Sequence, residues 1–210
     1  YQEAFDNCLK ATSLDAEFDE AWLLLCSLST WLKNNDQAII SCKQAVNYFS
    51  DSIQSYSNLA AALFNERDYS EAAEYYKKVI SFEPENALAL KFLCVSSIKN
   101  KEFDQALGAA IKLIEIDPNK AEYYDLLCES YLELKEIDNA EDSCKKSLQI
   151  APLNIDAHIN MGNIFQKKRQ YDIAISWYEK ALAIEPDNAN IYHNLGISYF
   201  RLKDDVKAAS

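Results

Sequence analysis

Residues 155–188 read IDAHINMGNIFQKKRQYDIAISWYEKALAIEPDN. Apolar residues in the first half recur at i, i+3, i+4 and i+7, as they do one segment earlier in Tyr124, Leu127, Cys128 and Tyr131, which places them on one face of a helix. The polar run QKKRQ, residues 166–170, interrupts that pattern. Asp172 then stands where a short oxygen side chain caps the orphan N–H groups of a second helix, predicted over Asp172 to Ile184. Pro186 closes it, because proline cannot continue a helix. The local prediction is a pair of helices joined by a tight connection.

The same unit recurs throughout the chain. Pro84, Pro118, Pro152 and Pro186 are 34 residues apart, and the sequence has no other proline. Ala4, Ala38, Ala72, Ala106, Ala140, Ala174 and Ala208 fall in the same register, and Asp36, Ser70, Asp104, Asp138 and Asp172 precede the later alanines as expected N-caps. Upstream of each alanine runs the ladder Trp22, Tyr56, Leu90, Tyr124, His158 and Tyr192. Three residues later come Leu25, Leu59, Leu93, Leu127, Met161 and Leu195, each followed by a small residue: Cys26, Ala60, Cys94, Cys128, Gly162 and Gly196. The small columns let two helices approach closely. One hairpin has two apolar faces and cannot bury both, so neighbours must stack on it.

Composition points the same way. Three Gly and four Pro in 210 residues supply too few turns for a β-rich chain. Lys and Arg total 21 against 33 Asp and Glu, a net charge of −12, which argues against nucleic acid as a partner because phosphate neutralisation needs a basic face. The longest mostly apolar run, residues 21–32, has 12 residues and falls short of the roughly 20 that span a bilayer, so no membrane insertion is expected. The chain opens on Tyr1 in mid-unit, which suggests a fragment of a longer protein. Six Cys without a C-x-x-C pair or an N-x-Ser/Thr sequon suggest reduced thiols and a cytoplasmic setting.

With Met161, Gly162, Phe165, Ala174, Tyr178, Ala181 and Pro186 in register, residues 155–188 resemble the tetratricopeptide repeat, a 34-residue helix-turn-helix unit. The resemblance covers the whole chain. Departures are Ser50 for the proline of the first full repeat, Ser29 and Ser97 for the aromatic, and His158 for Trp or Tyr. It implies an all-α, right-handed superhelical solenoid of stacked units in a single array. The frame is the second half of a repeat (1–18), full repeats 19–52, 53–86, 87–120, 121–154 and 155–188, and a partial repeat (189–210), which is expected to stop just inside a second helix.

In this family the first helices line a concave groove that binds segments of other proteins. The matching columns here read apolar, then acidic, then amide-rich. The apolar zone is Leu23, Trp31, Phe64, Leu88, Phe92, Val95 and Ile98, with Asn58 and Lys91 among them. The acidic zone is Glu122, Asp125, Glu129 and Glu133, spaced so that all four share one helix face, where like charges oppose the helix by about 0.2–0.5 kcal/mol per pair. Lys91 and Lys99 occupy matching columns one repeat earlier and offer counter-charge. The amide zone holds Asn160, Asn163, Asn190 and Asn194. The expected partner is therefore another protein, through an extended or helical segment with basic and apolar residues; self-association is an alternative. The clamp by which some relatives hold acidic chaperone tails is disfavoured, since Lys91 is followed by Val95, Leu126, Asp156 and Asn160.

No catalytic constellation stands out. There is no Gly-rich phosphate loop, no G-x-S-x-G and no H-E-x-x-H, and His158 sits in a packing column, so neither an enzyme nor a cofactor or metal is expected. Asn58, Asn160 and Asn194 match the asparagine column of the superhelical arm of O-linked N-acetylglucosamine transferases, a second functional reading, but Leu24, Phe92 and Leu126 interrupt it. Cys26 and Cys42 share their columns with Cys128 and Cys144. Small packing residues are the expectation there, with a disulfide or a two-thiol metal site as the alternative.

Overall fold

The computed structural model describes the backbone of residues 1–209 and the side chains of residues 1–203; of the alanine column, Ala208 lies outside the described side chains. Helices are the only regular elements among the described residues. They are α1 (Gln2–Leu14), α2 (Asp19–Trp31), α3 (Asn35–Tyr48), α4 (Ile53–Asn65), α5 (Tyr69–Phe82), α6 (Ala87–Lys99), α7 (Phe103–Ile116), α8 (Ala121–Glu133), α9 (Ile137–Ile150), α10 (Ile155–Lys167), α11 (Tyr171–Ile184) and α12 (Ala189–Ala209). They fall into two compact units, Tyr1–Glu102 and Phe103–Ser210.

In the first unit, α2 pairs with α3 and α4 with α5, while α1 packs on α2, α3 on α4 and α5 on α6. In the second, α8 pairs with α9 and α10 with α11, while α7 packs on α8, α9 on α10 and α11 on α12. Each unit is thus a stack of helical hairpins. Ala38, Ala72, Ala106, Ala140 and Ala174 are all 0% exposed, as are Cys26, Ala60, Cys94 and Cys128 of the small column. Small side chains at both columns set the close approach of the helices. Larger ones pack against them: Leu132, Met161 and Ile164 cluster with Cys128, Ala140 and Cys144, and Ile175, Tyr178, Ile191 and Leu195 with Ala174 and Ala181. Ser29, in the aromatic column, is buried and donates to the Leu25 carbonyl at 2.6 Å, so its hydroxyl is satisfied within its own helix.

Tight turns join the paired helices. At the end of α2 the Lys33 N–H donates to the Thr30 carbonyl and the Asn34 N–H to the Ser29 carbonyl. Arg67 and Asp68, Lys101 and Glu102, Lys135 and Glu136, and Arg169 and Gln170 repeat the arrangement. These are Schellman closures, in which the left-handed residue is Lys or Arg, with φ of 57–64°, rather than glycine.

Three expectations are corrected. The second helices begin one residue earlier than the predicted caps. Asn34 and Asp68 are the residues whose side chains accept from Gln37 and Glu71. Asp36, Ser70, Asp104, Asp138 and Asp172 instead lie inside the first turn, where the carboxylates complement the helix dipole. The partial repeat makes no turn after its first helix: α12 runs through to Ala209. Finally, the cysteines are more than packing residues. Cys26 is bonded to Cys42 and Cys128 to Cys144, with Cα separations of 4.6 and 5.6 Å. The columns that press two small residues together bring the sulfurs together wherever both are Cys. The cytoplasmic expectation rested on reduced thiols and loses that basis. No helix among the described residues is long and apolar enough to cross a membrane.

Candidate functional site

On the first helices of unit one, apolar side chains remain open to solvent. Leu24 and Trp31 of α2 are 50% and 61% exposed, and Leu88 of α6 is 64% exposed. The Trp31 ring centre lies 3.9 Å from that of Tyr1. Leu23, Phe64, Phe92 and Val95 are half-buried, and Ile98 is buried. Phe64 meets Tyr69 edge-on at 5.3 Å and Phe92 at 4.9 Å, while Phe92 stacks on buried Tyr76 at 5.5 Å. Burial pushes the Tyr76 phenol well above its ordinary range, so it stays neutral. The Lys91 ammonium lies 5.9 Å from the Phe92 ring centre, a cation over an aromatic face. Asn58 is buried instead of open: it accepts from Gln54 at 2.8 Å and donates to the Cys26 sulfur at 3.7 Å. The sequence pattern marks Leu24 only as a break in the asparagine column, whereas the exposed apolar set includes it.

In unit two the four carboxylates of α8 separate. Glu122 is half-buried and lies 3.8 Å from Lys120, Glu129 is half-buried, and Glu133 is exposed. Asp125 is only 8% exposed. Its Oδ2 accepts from the Asn154 amide, which also donates to Ser147 at 2.8 Å, while the Asn154 oxygen caps α10 through the Asp156 and Ala157 N–H groups. Asp125 thus ties α8 to the start of α10, and the row of four carboxylates on one open face is reduced by one. Burial raises its pKa above the ordinary carboxylate value, against the lowering effect of hydrogen bonds from Ser147 and Asn154, and the charges of Asp156 and Glu122 add to the rise.

The amide zone divides as well. Asn160 and Asn194 are half-buried and Asn190 is exposed, while Asn163 accepts from the Tyr178 hydroxyl at 2.7 Å. Tyr178 is fully buried, and its ring fills the space that Gly162 leaves. His158 is buried, with Nδ1 2.7 Å from the Asn154 carbonyl and its ring 5.7 Å from that of Trp177, a packing environment. Among the described residues no three His, Cys, Asp or Glu side chains converge on a metal-sized point.

Three tetratricopeptide-repeat family models match, over residues 63–128, 121–152 and 167–203. A comparison with curated proteins gives no match. Among solved structures, residues 41 to the end of MamA from Desulfovibrio magneticus RS-1 superpose with a TM-score of 0.72 at 18% identity, covering 82% of this chain and 98% of that one. YrrB, described as a TPR protein with an unusual peptide-binding site, superposes at 0.71 with 19% identity, covering 89% and 96%. At such identities the likeness is one of fold. Together with the repeated columns, the stacked hairpins and the three family matches, it places the chain in the tetratricopeptide repeat family.

Proposed function

We propose that this chain is a non-catalytic protein–protein interaction scaffold. The first helices of each unit offer side chains to an extended or helical segment of a partner protein that carries apolar and basic residues. The observation that carries the reading is the open apolar set Leu24, Trp31 and Leu88 on first helices, beside half-buried Phe64 and Phe92. Large apolar groups left in water on the helices that line the groove in this family supply the side-chain contacts such a surface needs. Glu129 and Glu133 supply negative charge for basic residues of the segment, and Asn160 and Asn194 supply amides for its backbone. A structural neighbour described by its peptide-binding site supports a peptide-sized ligand. The asparagine column lends little to a recognition arm of a glycosyltransferase, because Asn58 is committed to Gln54 and Cys26.

Selection of a random displayed-peptide library on the immobilised chain tests this. Enriched peptides are expected to combine apolar and basic residues and to lose binding to Trp31→Glu and Leu88→Glu, with Glu74→Lys on α5 as a neutral control. Failure to enrich any peptide, or equal binding to all three variants, would overturn the proposal.

A further inference from the structure

Four of the six cysteine sulfurs carry chemistry that the scaffold reading does not use. We infer that Cys26–Cys42 and Cys128–Cys144 are permanent structural cystines, installed during folding by a disulfide-bearing oxidant, and that the protein is completed in an oxidising compartment.

The inference starts from placement. In each case one Cys belongs to a first helix and the other to its paired second helix, 16 residues on, in the same two columns of the repeat. Cα separations of 4.6 and 5.6 Å lie within the range a disulfide bridges without backbone movement. Elsewhere these columns are filled by a small residue with a large one, Ala60 with Tyr76 and Gly162 with Tyr178. In the two hairpins where both columns hold Cys, a covalent bond closes the seam instead. Cys94 carries a thiol and its counterpart column holds Ala110, so the one-sided case is left unbridged.

Burial then decides the type of cystine. Cys26, Cys42, Cys128 and Cys144 are all 0% exposed. Thiol–disulfide exchange requires a thiolate to reach a sulfur, so the folded hairpin excludes the reaction and only opening permits it. Such links do not act as a switch in the folded protein. Each forms when a thiolate attacks the oxidant's disulfide and its partner thiolate resolves the mixed disulfide. Two thiol protons are released and two electrons pass to the oxidant, which leaves as two thiols. Links of this kind persist in oxidising compartments, whereas cytosolic thiol pools hold cysteines reduced.

The test is thiol mapping of the full chain, reduced and unfolded, then refolded in mixed reduced and oxidised glutathione and alkylated in denaturant. Alkylation is expected at Cys8 and Cys94 alone. Trypsin should release residues 11–33 joined to 34–43, and 121–135 joined to 136–145. The folded, oxidised chain should keep both links in a small-thiol reductant until denaturant is added. A Cys26→Ala/Cys42→Ala variant should keep its helical circular dichroism and the second linked pair. Alkylation at all six positions, pairs that include Cys8 or Cys94, or links lost as fast in the folded chain as in denaturant would each overturn the inference.

Discussion

At the scale of single residues, one column can give opposite responses to the same substitution. Gly162 and Gly196 both occupy the small column of a first helix. A Cβ on Gly162 would overlap the buried Tyr178 ring, which is held in place by its bond to Asn163, whereas among the described residues nothing lies within 4 Å of the corresponding point at Gly196. Gly162→Ala should therefore destabilise the chain by about 1–3 kcal/mol through overpacking. Gly196→Ala should stabilise it by roughly 0.5–1 kcal/mol through helix propensity alone. Urea melts of the two variants against the parent check both signs. Asp125 offers a second contrast. Its pKa is raised in the folded state, so its contribution to stability is present below the unfolded value and is lost as pH rises through the folded value. Asp125→Asn keeps an acceptor for Asn154 and removes the buried charge. The variant should melt above the parent at neutral pH, with the gap closing on acidification. A parent that melts higher at neutral pH would show that the carboxylate charge is favourable where it sits. Glu141 runs the other way. Its pKa is lowered by hydrogen bonds from Lys145 and then Lys168, and its contribution is lost as pH falls.

At the scale of elements, the turns carry a cost that the repeat tolerates. Lys135 adopts φ of 63° after α8, a region disfavoured by roughly 1–2 kcal/mol for a residue with a Cβ. Glycine there removes the clash but adds freedom to the unfolded chain, so Lys135→Gly should stabilise by a few tenths to about 1 kcal/mol, and Lys135→Val should destabilise. Thermal melts of the pair test the assignment. Helix pairing was legible in the sequence because the 34-residue period fixes which residues meet inside a hairpin. The left-handed turns were not, because their usual signal is Gly and this chain uses Lys and Arg. The caps were misplaced because Asp36 and its equivalents suit a first turn as well as a cap, and only the backbone conformation separates the two. Among the site residues, Leu88 and Trp31 are exposed. Asp125, Asn58 and Asn163 are drawn inward by Asn154, Cys26 and Tyr178, which lie on or at the start of other helices and leave no mark in the local pattern.

At the scale of the whole molecule, the excess of carboxylates sets how a partner approaches. A net charge of −12 gives the chain a field that attracts a basic segment before contact, and salt screens that field beyond roughly 8–10 Å at physiological strength. Apolar contacts at Leu24, Trp31 and Leu88 do not depend on screening in this way. For a basic, apolar peptide selected on the chain, the association rate should fall steeply as salt rises, while the dissociation rate changes little. Reversal of Glu129 and Glu133 to Lys should slow association at low salt and flatten its salt dependence. Asp125 is unsuited to that test, since reversal would place a lysine in the junction with Asn154 and disturb folding. Glu74→Lys on α5, where Glu74 pairs with Lys77 at 2.8 Å, shifts the net charge by about half as much as the double reversal and controls for the effect per unit charge. Stopped-flow measurements on the three proteins distinguish the cases. If the single control slows association as much per unit charge as the double reversal does, the attraction is global and the acidic part of α8 has no special role; if only the double reversal does so, the basic residues of the ligand are guided towards α8.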